Sequence, residues 1–408
     1  MTLPPRTLPD DLDLLPPADV GAGGLDAAAV VARDLQEQVA APLTAAFGAS
    51  SCHFAGRGAA ALLALAQALD APGQEVIVPT LVCPSVPLAL MLGGLVPVFA
   101  DVRPGDYTLD VAHAANLITP RTVALVAVHI FGHPCDMGGL RALADAHSLF
   151  LIEDCAQSLG QLDGNTWVGS IGDAAILSFH PSKILPAAGG GAVLLQPSAA
   201  HLAPRIDQAI AAFPEECALE AGQQRELARR GNAILNTARL EPSYAPRYRS
   251  LVGELSQGLP CQVSIPQLQG IWREWDTLDQ VVPQRELRAR RYRALLGDPL
   301  LVHPAPRGGA EPLFRYTLRP ALEGEQAVYC THHLTAALRH YGFHASNLYF
   351  PVHALLGQGA GTPVADAVGR SVLNLWLDGS ATAEQIMLIR QVLGHVLRRT
   401  ACTAPPSA

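Results

Sequence analysis

The chain has 408 residues, 49% of them apolar and 16% charged, with a formal net charge of −8. That length suits two or three domains, or one large enzyme subunit with ample material for a core. The absence of any basic tract argues against nucleic-acid binding, and the low charge content points to a buried subunit interface.

The first 24 residues are rich in Pro, Asp and Gly and read as an irregular arm. They carry no basic stretch followed by an apolar one, so no secretory leader is expected. Helical periodicity starts near Leu25 and runs to about Phe47, where Gly48 ends it. A short strand from Ser51 to Phe54, a small-residue turn and a helix from Gly58 to Leu69 come next. Val76 to Ala100 carries no charge and is long enough to imitate a membrane span. Its prolines and glycines divide it instead into strand, short helix and strand, a buried β-α-β unit. There follow a helix near 110–117, the strand VALVAVHI, a helix from Asp136 to His147 and the strand LFLIED. AAILSF and GAVLLQ read as two more strands.

Buried strands alternating with amphipathic helices predict an α/β fold with a mostly parallel sheet covered on both faces. Residues 25–205 are expected to form this large domain. Residues 206–290 read as a helical, Arg-rich connection interrupted by an irregular stretch from EPSYAPRYRS to GLPCQVSIP. A smaller C-terminal α/β domain is expected over 291–400, with LFRYTLRP and SVLNLWL as strands and 401–408 as a tail. The eight cysteines form no C-x-x-C pair, so reduced thiols in a cytoplasmic protein are the expectation.

Of the 28 Lys and Arg side chains, Lys183 alone is lysine. Arginine serves as a surface charge equally well, but its guanidinium does not form Schiff bases. The single lysine is therefore a candidate for covalent chemistry, set against survival by chance in an Arg-biased chain. Three segments bear on it. Gly56 to Leu62 is a small-residue turn into a helix; it could present bare backbone N–H groups to a phosphate or simply permit close packing. Asp154 ends an apolar strand and could be a metal ligand, a general base, a partner for a protonated ring nitrogen, or a helix cap. Ser178 leads through a turn to Lys183 and then to the run Gly189 to Gly191. An amine, a carboxylate and a phosphate cup are together what pyridoxal phosphate requires. His129, His133 and His180 read as packing or hydrogen-bonding residues, because no partner stands at metal-site spacing; no metal is expected.

These stretches, in order, resemble the DegT/DnrJ/EryC1/StrS family of sugar aminotransferases. The likeness is carried by GRGAAALLAL, by the block EVIVPTLVCPSVPLALMLGGLVPVFADVRPGDYTLD, by the block ending IEDCAQSLG, and by GDAAILSFHPSKILPAAGGGAVLL. It implies the aspartate-aminotransferase-like fold, known as fold type I, with pyridoxal phosphate as cofactor. By this resemblance Lys183 would be the Schiff-base lysine and proton shuttle, and Asp154 would pair with the ring nitrogen. Gln157 would lie near the phenolic oxygen, and Ser178, Gly58 and Ala59 would hold the phosphate. Ala59 stands where the family usually has a hydroxyl, and Cys83 where an aromatic commonly stacks on the ring. The usual G-Y-N-x-R segment is not clear, Gly231-Asn232 being at most a remnant, and Ser346 to His353 matches a substrate loop that could close the site or only pack the domains. The resemblance implies a homodimer with shared sites. It also implies an amino-acid donor, glutamate in the family, and a nucleotide-linked deoxysugar or similar cyclic ketone as acceptor. The departures leave two alternatives open: another pyridoxal-phosphate reaction, such as dehydration or unusual C–N chemistry, and a non-catalytic cofactor-binding regulator.

Overall fold

The computed structural model describes residues 24–215, 217, 221–237, 244–347, 349, 351–357, 361–377 and 382–402. The expected N-terminal arm up to residue 23 and the last residues of the tail lie outside them.

Apolar runs without alternation form the central sheet, because strands buried on both faces have no polar side. It contains β1 (Ser51–Ala55), β2 (Glu75–Pro79), β3 (Val96–Ala100), β4 (Thr122–Val128) and β5 (Phe150–Asp154). After a small hairpin of β6 (Leu162–Asp163) and β7 (Thr166–Trp167) it is completed by β8 (Ala174–Ser178) and β9 (Gly191–Leu195). The order is β1-β9-β8-β5-β4-β2-β3. The pairs from β8 through β5, β4 and β2 to β3 are parallel, whereas β9 runs antiparallel to both β8 and β1. The two faces can be read residue by residue. Ala124, Val126 and Val128 of β4 face one core with Val76 and Val78, while Leu125 and Ala127 face the other with Ile77 and Leu151.

Helices cover both faces. They are α1 (Gly24–Phe47), α2 (Gly58–Ala68), α3 (Ser85–Leu92), α4 (Val111–Asn116), α5 (Met137–His147) and α6 (Ala203–Ala211). α2 is nearly all Ala and Leu, and nine of its eleven residues are buried. Its small side chains let it lie close to β8 and β9, which brings its first turn to the carboxyl end of the sheet.

α7 (Ala221–Thr237) and α8 (Tyr244–Gln257) form a helical hairpin, followed by α9 (Ile265–Trp275) and α10 (Leu278–Leu295). α8 corrects the expectation of an irregular stretch there. Pro246 sits in its first turn, where a missing N–H costs nothing. Beyond it Tyr248, Leu251, Val252 and Leu255 recur at helical spacing and pack on Leu227, Ile234 and Leu355.

The remaining sheet is antiparallel, in the order β10 (Leu301–Val302), β11 (Arg315–Pro320), β13 (Leu373–Trp376) and β12 (Ala345–Ser346). With it pack α11 (Gly324–His340), α13 (Pro363–Ser371) and α14 (Ala383–Cys402), while α12 (Val352–Leu356) contacts α8. Val352 N–H donates to the Thr80 carbonyl at 2.8 Å, and Thr80 Oγ1 lies 2.7 Å from His353 Nδ1, so the C-terminal part is docked against the carboxyl end of β2.

Gly191 explains one close approach. It pairs with both Ser178 and Ala55, and a Cβ on it would collide with the backbone of Arg57 and Gly58 at the start of α2. Gly191→Ala is expected to push β9 and α2 apart and to cost about 1–3 kcal/mol, the usual range for overpacking. A thermal melt should show a clearly lowered Tm; an unchanged Tm would contradict the fit.

Candidate active site

The first turn of α2, the ends of β5 and β8 and the loop after β8 converge at the carboxyl edge of the parallel sheet. This is where open α/β sheets place their ligands. At the start of α2, Arg57 has extended backbone and gives no side-chain cap to the following amides. Gly58 lies directly against Ser178: an added Cβ would stand 3.0 Å from Ser178 Cβ and 3.4 Å from its Oγ. The cradle is thus lined by the Ser178 hydroxyl and helix-start amides including Ala59, which suits a phosphate dianion. The hydroxyl absent at Ala59 is not replaced in the helix; the side chain there packs into the core.

Asp154 closes β5 and is 7% exposed, with Oδ1 accepting the Ala156 N–H at 3.0 Å. Burial pushes its carboxyl up, against that hydrogen bond and the nearby Lys183 and His129. Such a carboxylate has much to gain from a cation that arrives with a ligand.

Lys183 follows β8 by five residues, its N–H donating to the His180 carbonyl at 2.8 Å. Its Nζ stands 5.0 Å from the centre of the Phe314 ring. Burial lowers the amine below its ordinary value, with Arg315 acting in the same direction and Cys83 and Asp154 against it. A lysine poised this way is a better nucleophile and base near neutral pH.

Glu153, next to Asp154, points into the opposite face. Its carboxylate accepts N–H bonds from Gly169 at 2.8 Å, Ile171 at 2.7 Å and Gly172 at 2.5 Å. Although burial opposes it, hydrogen bonds from His129 and these amides hold this carboxyl below the usual range. His129 Nδ1 accepts the Cys135 N–H, so Nε2 carries the proton and donates to Glu153 Oε2 at 3.1 Å. Among the described residues, His129, Glu153 and Cys155 are the group close enough to hold a metal ion. With the facing imidazole nitrogen protonated and the carboxylate spent on the loop 169–172, that group reads as a structural clamp. His133 is fully buried and held neutral at about 3, by burial first and by Arg293 second.

Around these groups Gln157, which the sequence singled out, meets Phe131, and Phe131 meets Phe314, neither of them singled out. Gln157 Oε1 accepts the Phe131 N–H at 2.8 Å. Phe131 itself has φ 59° and ψ 3°, left-handed backbone that a bulky residue rarely adopts. It is held there from both sides, since its carbonyl accepts the Phe314 N–H at 3.2 Å. Strain of this kind gathers at functional sites. The Phe131 ring meets Tyr349 edge-on at 4.6 Å. Burial raises the Tyr349 phenol, Cys83 and Asp154 add to that, and Arg315 and a hydrogen bond with Gln157 oppose it. Tyr349 is thus hydrogen-bonded to Gln157 and within electrostatic reach of Cys83, Arg315 and Asp154. The Cys83 thiol, 3.1 Å from Ser85 Oγ, does not provide the missing aromatic surface; Phe131, Phe314 and Tyr349 bring aromatic groups to the same region. The loop 346–353 packs the C-terminal part through Val352 and His353 and sets the Tyr349 ring against Phe131; Leu348 and Phe350 lie outside the described residues. Among the described residues, no helix is long and apolar enough to cross a membrane.

Residues 33–206 match the DegT/DnrJ/EryC1/StrS aminotransferase family. A UDP-N-acetyl-3-dehydro-alpha-D-glucosamine 3-aminotransferase of Acidithiobacillus ferrooxidans is 45% identical over 34% of this chain and 38% of its own length. A pleiotropic regulatory protein of Geobacillus stearothermophilus is 28% identical over 85% of both chains. The crystal structure of DesV from S. venezuelae superposes with a TM-score of 0.70 at 25% identity, covering 92% of this chain and 94% of that one. The chain spans 38%, 34% and 27% of the first three curated relatives it matches.

Proposed function

Because residues 33–206 match the DegT/DnrJ/EryC1/StrS aminotransferase family, we propose that the chain is a pyridoxal-phosphate-dependent aminotransferase. It would take an amino group from an amino acid, glutamate first among the candidates, and pass it to the keto carbon of a nucleotide-linked deoxysugar or similar cyclic ketone. The observation that carries this reading is the convergence of the single lysine, the buried Asp154 and the Gly58–Ser178 cradle at one end of the sheet.

The residues fit the cofactor. Gly58, Ala59 and Ser178 would hold its phosphate, Asp154 its ring nitrogen and Gln157 its phenolic oxygen, with Cys83 beside the ring. When bound, the cofactor supplies an electron sink for the carbon being protonated or deprotonated. The protein's own part is positional and protonic. Lys183 Nζ, with its lowered basicity, would hold the group and would carry a proton to and from the substrate carbon. Asp154 would supply the negative charge that keeps the ring nitrogen protonated, the pairing offsetting the burial that raises its carboxyl. Phe131 and Tyr349, in edge contact, and Phe314, beneath Lys183 Nζ, would help keep water from the reacting groups. The acceptor class is supported by the nucleotide-sugar substrate in the name of the Acidithiobacillus relative. A cytoplasmic homodimer is part of the same reading; the free thiols of Cys52, Cys83, Cys135, Cys155, Cys217, Cys261 and Cys330 support the first term.

A second reading rests on the regulatory name of the Geobacillus relative: a non-catalytic binder of the same cofactor. It would not need the depressed amine at Lys183. Incubating the cofactor-loaded protein with glutamate separates the two. Conversion of the cofactor to its amine form, seen as loss of the visible absorption band, is the expected result. No conversion with any amino donor would reject the aminotransferase reading.

A further inference from the structure

Two thiols and a guanidinium stand at the entry to the phosphate cradle. Arg57, the residue before Gly58, donates from Nη2 to Cys217 Sγ at 3.2 Å. The Cys217 thiol donates in turn to the Gly258 carbonyl at 3.5 Å, and Cys261 Sγ lies 3.9 Å from the carbonyl of the next residue, Leu259. Burial pushes the Cys261 thiol up; Arg57 opposes this by its charge and by a hydrogen bond, while Cys217 adds to it through its charge and a hydrogen bond of its own. The two thiols therefore meet each other and the same guanidinium. The pair is also seated on the turn that leads into the cradle. The Gly56 N–H donates to the Cys261 carbonyl at 2.9 Å. A Cβ added at Gly56 would collide with Cys261 Sγ, so the sulfur rests directly on backbone just ahead of Gly58. The Gly56 carbonyl accepts the Gly190 N–H at 3.1 Å, which ties the same turn to the glycine run.

Packing alone asks only for a small apolar side chain at residue 261. A second thiol in contact with it, and a guanidinium donating to both, is the setting of a redox pair. Cys217 is half-buried and within reach of a small oxidant, while Cys261 is buried behind it. We propose that Cys217 and Cys261 form a reversible disulfide under hydrogen peroxide, and that this bond weakens cofactor binding at the neighbouring cradle. The Cys217 sulfur attacks one peroxide oxygen: an S–O bond forms, the O–O bond breaks, and the other oxygen leaves as water. The Cys261 sulfur then displaces the sulfenic oxygen, which leaves as a second water while the S–S bond forms. Two thiols are oxidised, one peroxide is reduced, and both thiol protons end in the waters. An S–S bond is about 2 Å long, shorter than any contact between unbonded sulfurs. Closing it must draw Cys261 off its seat on Gly56 or Cys217 away from Arg57, and either motion disturbs the entry to the cradle. A transient disulfide of this kind is compatible with a reducing compartment. The effect on binding rests on the pyridoxal-phosphate reading; the bond itself does not.

The test treats the full chain, stripped of cofactor, with hydrogen peroxide. Non-reducing peptide mapping and absorbance titration with pyridoxal phosphate follow, each with and without dithiothreitol. A cross-linked peptide pair containing Cys217 and Cys261 is expected. Oxidised wild type should bind the cofactor about tenfold more weakly, within the usual range of coupling between two sites, and dithiothreitol should restore the affinity. Cys217→Ser should bind the cofactor equally well before and after peroxide; its half-buried position makes it the safer variant for folding, and Cys261→Ala is the second. Coupling is reciprocal, so the cofactor-loaded protein should need a more oxidising glutathione buffer to form the bond. The absence of that peptide pair, or an oxidised protein that binds the cofactor as before, would overturn the proposal. So would a loss of affinity that persists in Cys217→Ser, which would assign the effect to another thiol, such as Cys83. If reduced wild type takes up no cofactor, the cofactor reading fails, and the mapped bond still decides the thiol chemistry.

Discussion

Lys183→Arg is expected to yield a folded protein that catalyses nothing. The substitution keeps the formal charge and creates a chain with no lysine at all. Arginine can still lie against Phe314, since a guanidinium binds an aromatic face at least as well as an ammonium. A guanidinium cannot shed its charge as the depressed amine can, and Arg315 stands nearby, so a loss of stability of about 1–3 kcal/mol is expected without loss of the fold. Activity should fall by about 10⁴-fold or more, because a guanidinium neither forms a Schiff base nor releases a proton near neutral pH. Borohydride reduction and peptide mapping provide the covalent readout. In wild type the label belongs on the peptide containing Lys183, and the variant should carry none. The phosphate cradle is untouched, so the variant should still take up the cofactor, without a covalent link. The pH dependence of covalent loading carries a further sign. Burial and Arg315 lower the Lys183 amine, so loading should reach half-maximum at a pH below that of an ordinary lysine. Label on another peptide, or an active variant, would remove Lys183 from the chemistry.

The strands of the large sheet were legible because burial on both faces writes them as unbroken apolar runs. The same property hides direction. β9 reads like its neighbours, and nothing local says that it turns back against β8. The three segments around the lysine were legible because each depends on local backbone needs: small residues at Gly58 and Gly191, a carboxylate at a strand end, a turn after Ser178. Phe131, Phe314, Arg315 and Tyr349 had no such signal. Their places are set by long-range contacts, such as the Phe314 N–H meeting the Phe131 carbonyl, and one strained residue depends on a partner more than 180 positions away. α8 was hidden for a simpler reason. Pro246 reads as a helix breaker unless one knows that it occupies a first turn. The departures at Ala59 and Cys83 now have different standings. The hydroxyl missing at residue 59 is not replaced from within α2, whereas aromatic surface reaches the ring region from the C-terminal part of the chain.

Asp154→Asn should separate binding from chemistry and reverse its own effect on stability when the cofactor binds. Without the cofactor, burial raises the Asp154 carboxyl above its ordinary value. The folded state then holds this proton more tightly than the unfolded state does. By linkage, stability falls as pH rises from the unfolded value toward the folded one, and the penalty stays in place above both. Asparagine keeps the shape and can still accept the Ala156 N–H through its oxygen, but it never ionises. The cofactor-free variant should therefore melt higher than cofactor-free wild type at neutral pH, and the gap should close as pH falls through the ordinary carboxylate range. With cofactor present the order should invert, because wild type gains a paired charge at the ring nitrogen and the variant does not. The turnover rate should drop by about 10²- to 10³-fold, the usual cost of removing one preorganised electrostatic partner. Paired melts at two pH values, with and without cofactor, together with single-turnover rates on glutamate, measure all three effects. A variant that turns over at the wild-type rate would show that Asp154 caps the Ala156 turn and takes no part in the reaction.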